Sequence, residues 1–188
     1  TVVTDHWGKV PVEYWTYPDS VAAARLGFGK TPDAIDVFSR KTGIPYPWAK
    51  YAQSVVPDFI FGGMENVSAT TQNDDGILHP AWAEPQYNAD GLMSHELGHQ
   101  WFGDLLTTRD WSHAWLNEGF ATFMEQTYRE ASQGVDEATW DRMDAEDQTI
   151  EADRRNRRPI VYNKYVTDPI EIFFSGHIYP KGATVLQM

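Results

Sequence analysis

The sequence predicts an α+β domain, and three observations carry that expectation. Short extended runs bounded by Gly and Pro crowd the first 71 residues. Helical periodicity takes over from Asp90 onward. A His-Glu-x-x-His pentapeptide, His95 to His99, opens that helical half. The chain has 188 residues, 41% hydrophobic and 22% charged, which supplies a real core and excludes disorder over most of its length.

Residues 9–17 alternate well enough for a strand, with Pro11 placing it at an edge or at its own start. Pro18-Asp19-Ser20 offers a cap for a helix beginning at Val21, which Gly27, Gly29 and Pro32 interrupt. A second helix is expected over 33–42, stopped by Gly43. Residues 50–56 read as a strand closed by Pro57, and 64–71 as another entered through Gly62-Gly63. Asn73-Asp74-Asp75-Gly76 reads as a turn. Helices follow over 90–102 (Asp90 as N-cap, Gly103 as stop), 113–131 (ended by Gly134) and 136–153. Arg154-Arg155-Asn156-Arg157-Arg158-Pro159 reads as a solvated charge block. Lys181 to Met188 opens an apolar helix without a C-cap, so the sequence reads as a piece of a longer protein.

Composition narrows function. Fifteen Lys and Arg against 27 Asp and Glu give a net charge of -12, which argues against non-specific nucleic-acid binding. The absence of cysteine removes disulfides, thiolate zinc sites, Fe–S clusters and Cys nucleophiles. No apolar run approaches the length of a membrane span, and no basic segment followed by an apolar run opens the sequence. The compartment stays open.

His95-Glu96-Leu97-Gly98-His99 points to a metal. Helix positions four apart differ by roughly 40° in azimuth and about 6 Å in rise, so His95 and His99 stack on one face and aim two imidazoles at one point. Glu96 lies about 100° round from His95, badly placed to ligate and well placed to reach a water beside the ion, the general-base arrangement of zinc peptidases. Catalytic zinc usually keeps three protein ligands. Glu118, in Trp115-Leu116-Asn117-Glu118-Gly119-Phe120-Ala121, is the candidate third, because the intervening 18 residues let one helix end and another run back beside it.

With these motifs, the chain closely resembles the gluzincin aminopeptidases related to aminopeptidase N (alanyl aminopeptidase). The resemblance is carried by His95 to Phe102, Gly103-Asp104-Leu105-Leu106-Thr107 and Trp115 to Ala121. Gly62-Gly63-Met64-Glu65-Asn66 resembles that family's exopeptidase signature, and Tyr179-Pro180-Lys181-Gly182-Ala183 its catalytic tyrosine motif. The matches run in the family's order from about Pro57 to the C-terminus.

The resemblance implies a thermolysin-like zincin domain. Its sheet is expected to be small and mostly antiparallel, with Glu65 at the edge, and its helices to carry one Zn2+ on His95, His99 and Glu118. It implies that Glu65 holds the α-amine of a peptide with a free N-terminus, and that Gly62, Gly63, Met64 and Asn66 build the surrounding substrate site. Glu96 would serve as base, and Tyr179 as the donor to the developing oxyanion. Residues 1–17 are then expected to end a linker or strand from an upstream β-domain. Residues 18–188 would form the peptidase domain, packing against further N- and C-terminal domains. Two other readings stay open: a thermolysin-type endopeptidase without the amine anchor, with a leukotriene-hydrolase-type enzyme behind it, and a metal-binding fragment or peptide-binding module without turnover.

Overall fold

The first two strands, β1 (Val2–Trp7) and β2 (Val10–Trp15), pair antiparallel across the turn Gly8-Lys9. Gly8 takes φ 57, a left-handed setting that a residue without Cβ enters at no steric cost. In β2 the alternation puts Val12 and Tyr14 inside, and the Tyr14 ring stacks on Phe28 with centroids 5.4 Å apart. The fold is described by a computed structural model for residues 1–80, 82–83, 89–174 and 176–188. It divides into two compact units, Thr1–Gln100 and Trp101–Met188.

In the first unit, α1 (Val21–Phe28) and α2 (Thr31–Thr42) link β2 to β3 (Tyr51–Val56). Pro32 stands in the first turn of α2, where its missing N–H is harmless, and Gly43 ends that helix at φ 72. β4 (Gly63–Met64), β5 (Ala69–Asn73), the single-turn α3 (Asp74–Ile77) and α4 (Asp90–Gly98) follow. Among the described residues the strands form one five-stranded sheet in the order β1-β2-β3-β5-β4.

The sheet is mixed rather than mostly antiparallel. β2 with β3 and β3 with β5 run parallel, while β1 with β2 and β4 with β5 run antiparallel. The cause is the connection: the α1–α2 crossover returns the chain parallel to β2, which no tight hairpin does. The α+β class stands. The strand expected over 64–71 is instead two strands separated by a turn, in which Ser68 takes φ 59. The turn expected at 73–76 is the start of α3, capped by the Asn73 side chain accepting from the Asp75 N–H at 2.8 Å. The sequence reading gave β1 no strand.

In the second unit, a 3-10 turn (Trp111–His113) leads into α5 (Trp115–Gln133) and α6 (Val135–Asn156). Gly134 alone separates the two helices, at φ 100. The short α7 (Lys164–Thr167) and α8 (Glu171–Phe174) precede α9 (Tyr179–Gln187), which packs on both α5 and α6. A local core of Ala114, Tyr165, Ile172 and Ile178 takes Trp115, Tyr162 and Tyr179 against it. The charge block is not all solvated. Arg158 is half-buried, ion-paired to Glu171 at 3.0 Å and set 5.0 Å above the Tyr162 ring. No helix among the described residues is long and apolar enough to cross a membrane.

Candidate metal centre

α4 brings the pentapeptide together by its apolar anchoring. Met93 and Leu97 are fully buried, which fixes the helix's rotation and with it the direction of His95, Glu96 and His99. Asp90, expected as the N-cap, is instead the first helical residue after Ala89. Its buried carboxylate accepts from Lys30 Nζ at 2.6 Å, pinning the start of the helix. Helical hydrogen bonding stops at Gly98 rather than running to Phe102, so His99 stands at the C-cap. The His95 and His99 rings lie edge to face, with centroids 5.0 Å apart. His99 is 1% exposed and Glu96 is 5% exposed.

The Gly62 to Asn66 segment lies against this helix from the sheet edge. β4 pairs Gly63 with Gln72 and Met64 with Thr71, leaving its other edge without a strand neighbour among the described residues. A Cβ built at Gly63 would run into the Glu96 carboxylate, and one at Gly62 would come within 3.2 Å of Leu92 Cδ1. Glycine is therefore what lets the strand and the acid share this space. Met64 is 40% exposed, and the Asn66 side chain accepts from Thr71 Oγ1 at 3.1 Å. A carboxylate oxygen of Glu65, one of Glu96 and a ring nitrogen of His99 all lie within 4.8 Å of one another. Two acids and an imidazole this close make a strongly cation-attracting corner.

In the second unit, Glu118 sits in the first turn of α5, where the helix dipole favours a carboxylate, and it is 9% exposed. Its neighbour Gly119 meets Gly182 of α9 so closely that a Cβ at Gly119 would lie 2.7 Å from the Gly182 Cα. Tyr179 is the first residue of α9, with Pro180 preset for the helix start. The residues two before and two after Tyr179 share one partner. Lys181 Nζ donates to both Asp153 oxygens at 2.8 and 2.9 Å, and His177 Nε2 lies 3.3 Å from Asp153 Oδ1. Lys181 also donates to the Arg158 carbonyl at 2.7 Å. The bond from Lys181 holds the Asp153 carboxyl below its ordinary pKa.

The first unit thus gathers Gly62, Gly63, Met64, Glu65, Asn66, His95, Glu96 and His99 at one sheet edge, and the second carries Glu118 and Tyr179 on neighbouring helices. Imidazole nitrogens and carboxylate oxygens are donor types that suit zinc. The sequence reading missed Gln100 and Asp153. Gln100 carried a weak signal, an amide set between Leu97 and Trp101 in an apolar run. Asp153 carried none, since Lys181 is 28 positions away.

A model of the Peptidase family M1 domain matches residues 26–188. Aminopeptidase Ey of Gallus gallus is 32% identical over 99% of this chain and 20% of its own length. Aminopeptidase N of Streptomyces lividans is 34% identical over 85% of this chain and 19% of its own length. Leucyl aminopeptidase of Saccharolobus solfataricus is 32% identical over 96% of this chain and 24% of its own length. The chain therefore spans about a fifth to a quarter of the length of these three relatives.

Proposed function

The chain belongs to peptidase family M1, and from that premise we propose that it is the thermolysin-like catalytic part of a zinc-dependent aminopeptidase that hydrolyses the first peptide bond of a peptide. The observation that carries the reading is the cluster of Glu65, Glu96 and His99 beside an edge strand. It pairs a candidate base and a candidate ligand with an anion suited to an ammonium group. His95, His99 and Glu118 would hold the ion. When bound there, zinc supplies Lewis-acid polarisation of the scissile carbonyl and lowers the pKa of a water.

The chain's own residues do the rest. The peptide's N-terminal backbone lies along β4, where Gly62 and Gly63 allow close approach. Glu65 accepts charge-assisted hydrogen bonds from the α-ammonium, which measures one residue from the terminus to the scissile bond. Glu96 takes a proton from the attacking water and delivers it to the departing amine nitrogen as the C–N bond breaks. Tyr179 donates its phenolic hydrogen to the carbonyl oxygen as negative charge develops. Met64, flexible and half exposed, lines the place for the first side chain.

The test is Glu96→Gln. Turnover of a free-amine peptide should fall by about 10³-fold or more, with one zinc per chain retained by elemental analysis. Loss of zinc in that variant would remove Glu96 from the base role. A peptide with an acetylated N-terminus should be cleaved far more slowly than its free-amine counterpart. Equal rates would turn the reading toward an endopeptidase.

A further inference from the structure

Gln100 is buried without any exposed surface, one residue beyond His99. Its side-chain amide spans two points of the turn that follows β4. Oε1 accepts from the Ser68 N–H at 2.8 Å, and Nε2 donates to the Glu65 carbonyl at 3.2 Å. The Tyr46 hydroxyl reaches Oε1 at 3.5 Å, and the Gln100 carbonyl accepts from Trp48 Nε1 at 3.2 Å. The amide's orientation is forced, because a backbone N–H only donates and a carbonyl only accepts.

The turn it grips needs holding. Ser68 takes φ 59, a left-handed conformation costly for a residue with a Cβ, and such conformations persist where surrounding bonds over-determine them. Here the Ser68 N–H goes to Gln100 and the Ser68 carbonyl accepts from the Ala52 N–H at 2.8 Å. A second closure comes from the Ala69 N–H to the Asn66 carbonyl at 2.9 Å. Glu65 and Asn66 are thus fixed from the sheet on one side and from the end of α4 on the other. Gln100, two residues past the end of α4, makes that second tie.

We propose that Gln100 is the positioning residue for the amine anchor: its side-chain amide sets the separation between Glu65 and the His95–His99 pair, and so makes the site an exopeptidase site. Resting on the function proposed above, this assigns the N-terminal measuring distance to a group that touches neither substrate nor metal. Glu65 supplies the charge. Gln100 supplies the register, by locking the Glu65 backbone to the residue next to a proposed ligand. Without it the turn loses the bonds at Ser68 N–H and at the Glu65 carbonyl, and an anchor displaced by about 1 Å loses much of its effect.

The test is a binding measurement on the zinc-loaded protein. Leucine hydroxamate and N-acetyl-leucine hydroxamate are titrated calorimetrically, with zinc content and melting temperature recorded for each variant. Both probes share the metal-binding group, so the ratio of their dissociation constants isolates the amine contribution. The native protein should prefer the free amine, Glu65→Gln should lose the preference, and Gln100→Met should reduce it by about tenfold with zinc retained. Gln100→Asn keeps an amide but shortens it by one methylene, so that it no longer spans the Ser68 N–H and the Glu65 carbonyl; it too should reduce the preference, and it serves if the Met variant does not fold. A preference that survives in the folded Gln100 variants but not in Glu65→Gln overturns the role of Gln100 and leaves the aminopeptidase reading standing. No preference in the native protein overturns the reading itself, and this inference with it.

Discussion

The contact between Gly63 and Glu96 depends on a side chain that is missing. Glu96 is buried, and its carboxylate fills the space where a Cβ at position 63 would stand. The end of a glutamate can rotate away from a methyl group, so Gly63→Ala should fold and should misplace the acid. A general base works only within hydrogen-bond reach of its proton, and a displacement near 1 Å costs about 10²-fold. The expected outcome is a kcat lowered by about that factor with zinc content unchanged. A Gly63→Ala protein with native kcat would mean that the acid tolerates the shift, and that its position is less critical than the proposed mechanism requires.

Between elements, the decisive approach is α5 against α9. Cβ atoms built at Gly119 and at Gly182 would lie 2.7 and 2.6 Å from the opposing Cα. Both obstacles are backbone, which cannot rotate away as the Glu96 side chain can. Gly182→Ala should therefore separate the helices and cost about 1–3 kcal/mol, measured by chemical denaturation. Because Tyr179 begins the same helix three residues earlier, kcat should fall as well. A variant with native stability and native kcat would refute the close packing.

The same scale explains what the sequence reveals and what it hides. α2 and α5 are legible because each combines apolar periodicity with a glycine stop, Gly43 and Gly134, at positive φ. The break between β4 and β5 is hidden because its left-handed residue is Ser68, not glycine or asparagine. The parallel pairing of β3 with β2 and β5 is hidden because direction follows from the crossover, not from alternation within a strand. Among the candidate site residues, His95, Glu96 and His99 are legible as a unit, since one helical turn fixes their spacing. Gln100 is not, because the groups it bonds lie 32 and 35 positions away.

For the molecule as a whole, acid stability follows from a few carboxylates against a net charge of -12. Asp153 and Glu171 are held below their ordinary pKa by hydrogen bonds from Lys181 and Lys164, and Asp110 by bonds from Ser112. Asp141 is shifted the other way, because its burial outweighs Arg129. A carboxylate lowered in the folded state binds fewer protons there than in the unfolded chain. Its contribution is therefore fully present above the unfolded pKa and is lost as pH falls through the folded value. Asp141 works in the opposite sense, so the three lowered groups set the direction. Titrating the many surface acids first relieves self-repulsion, which delays the loss. The melting temperature should hold as pH is lowered from neutral and drop below about pH 4, where unfolded carboxylates have passed their midpoints and the lowered folded-state groups have not. Asp153→Asn and Glu171→Gln should each lower the melting temperature at neutral pH and flatten the drop below pH 4, because each removes a group that titrates differently in the two states. Variant curves that run parallel to the native one through the acid range would show that neither carboxylate is linked to folding, and that the bonds from Lys181 and Lys164 do not hold in solution.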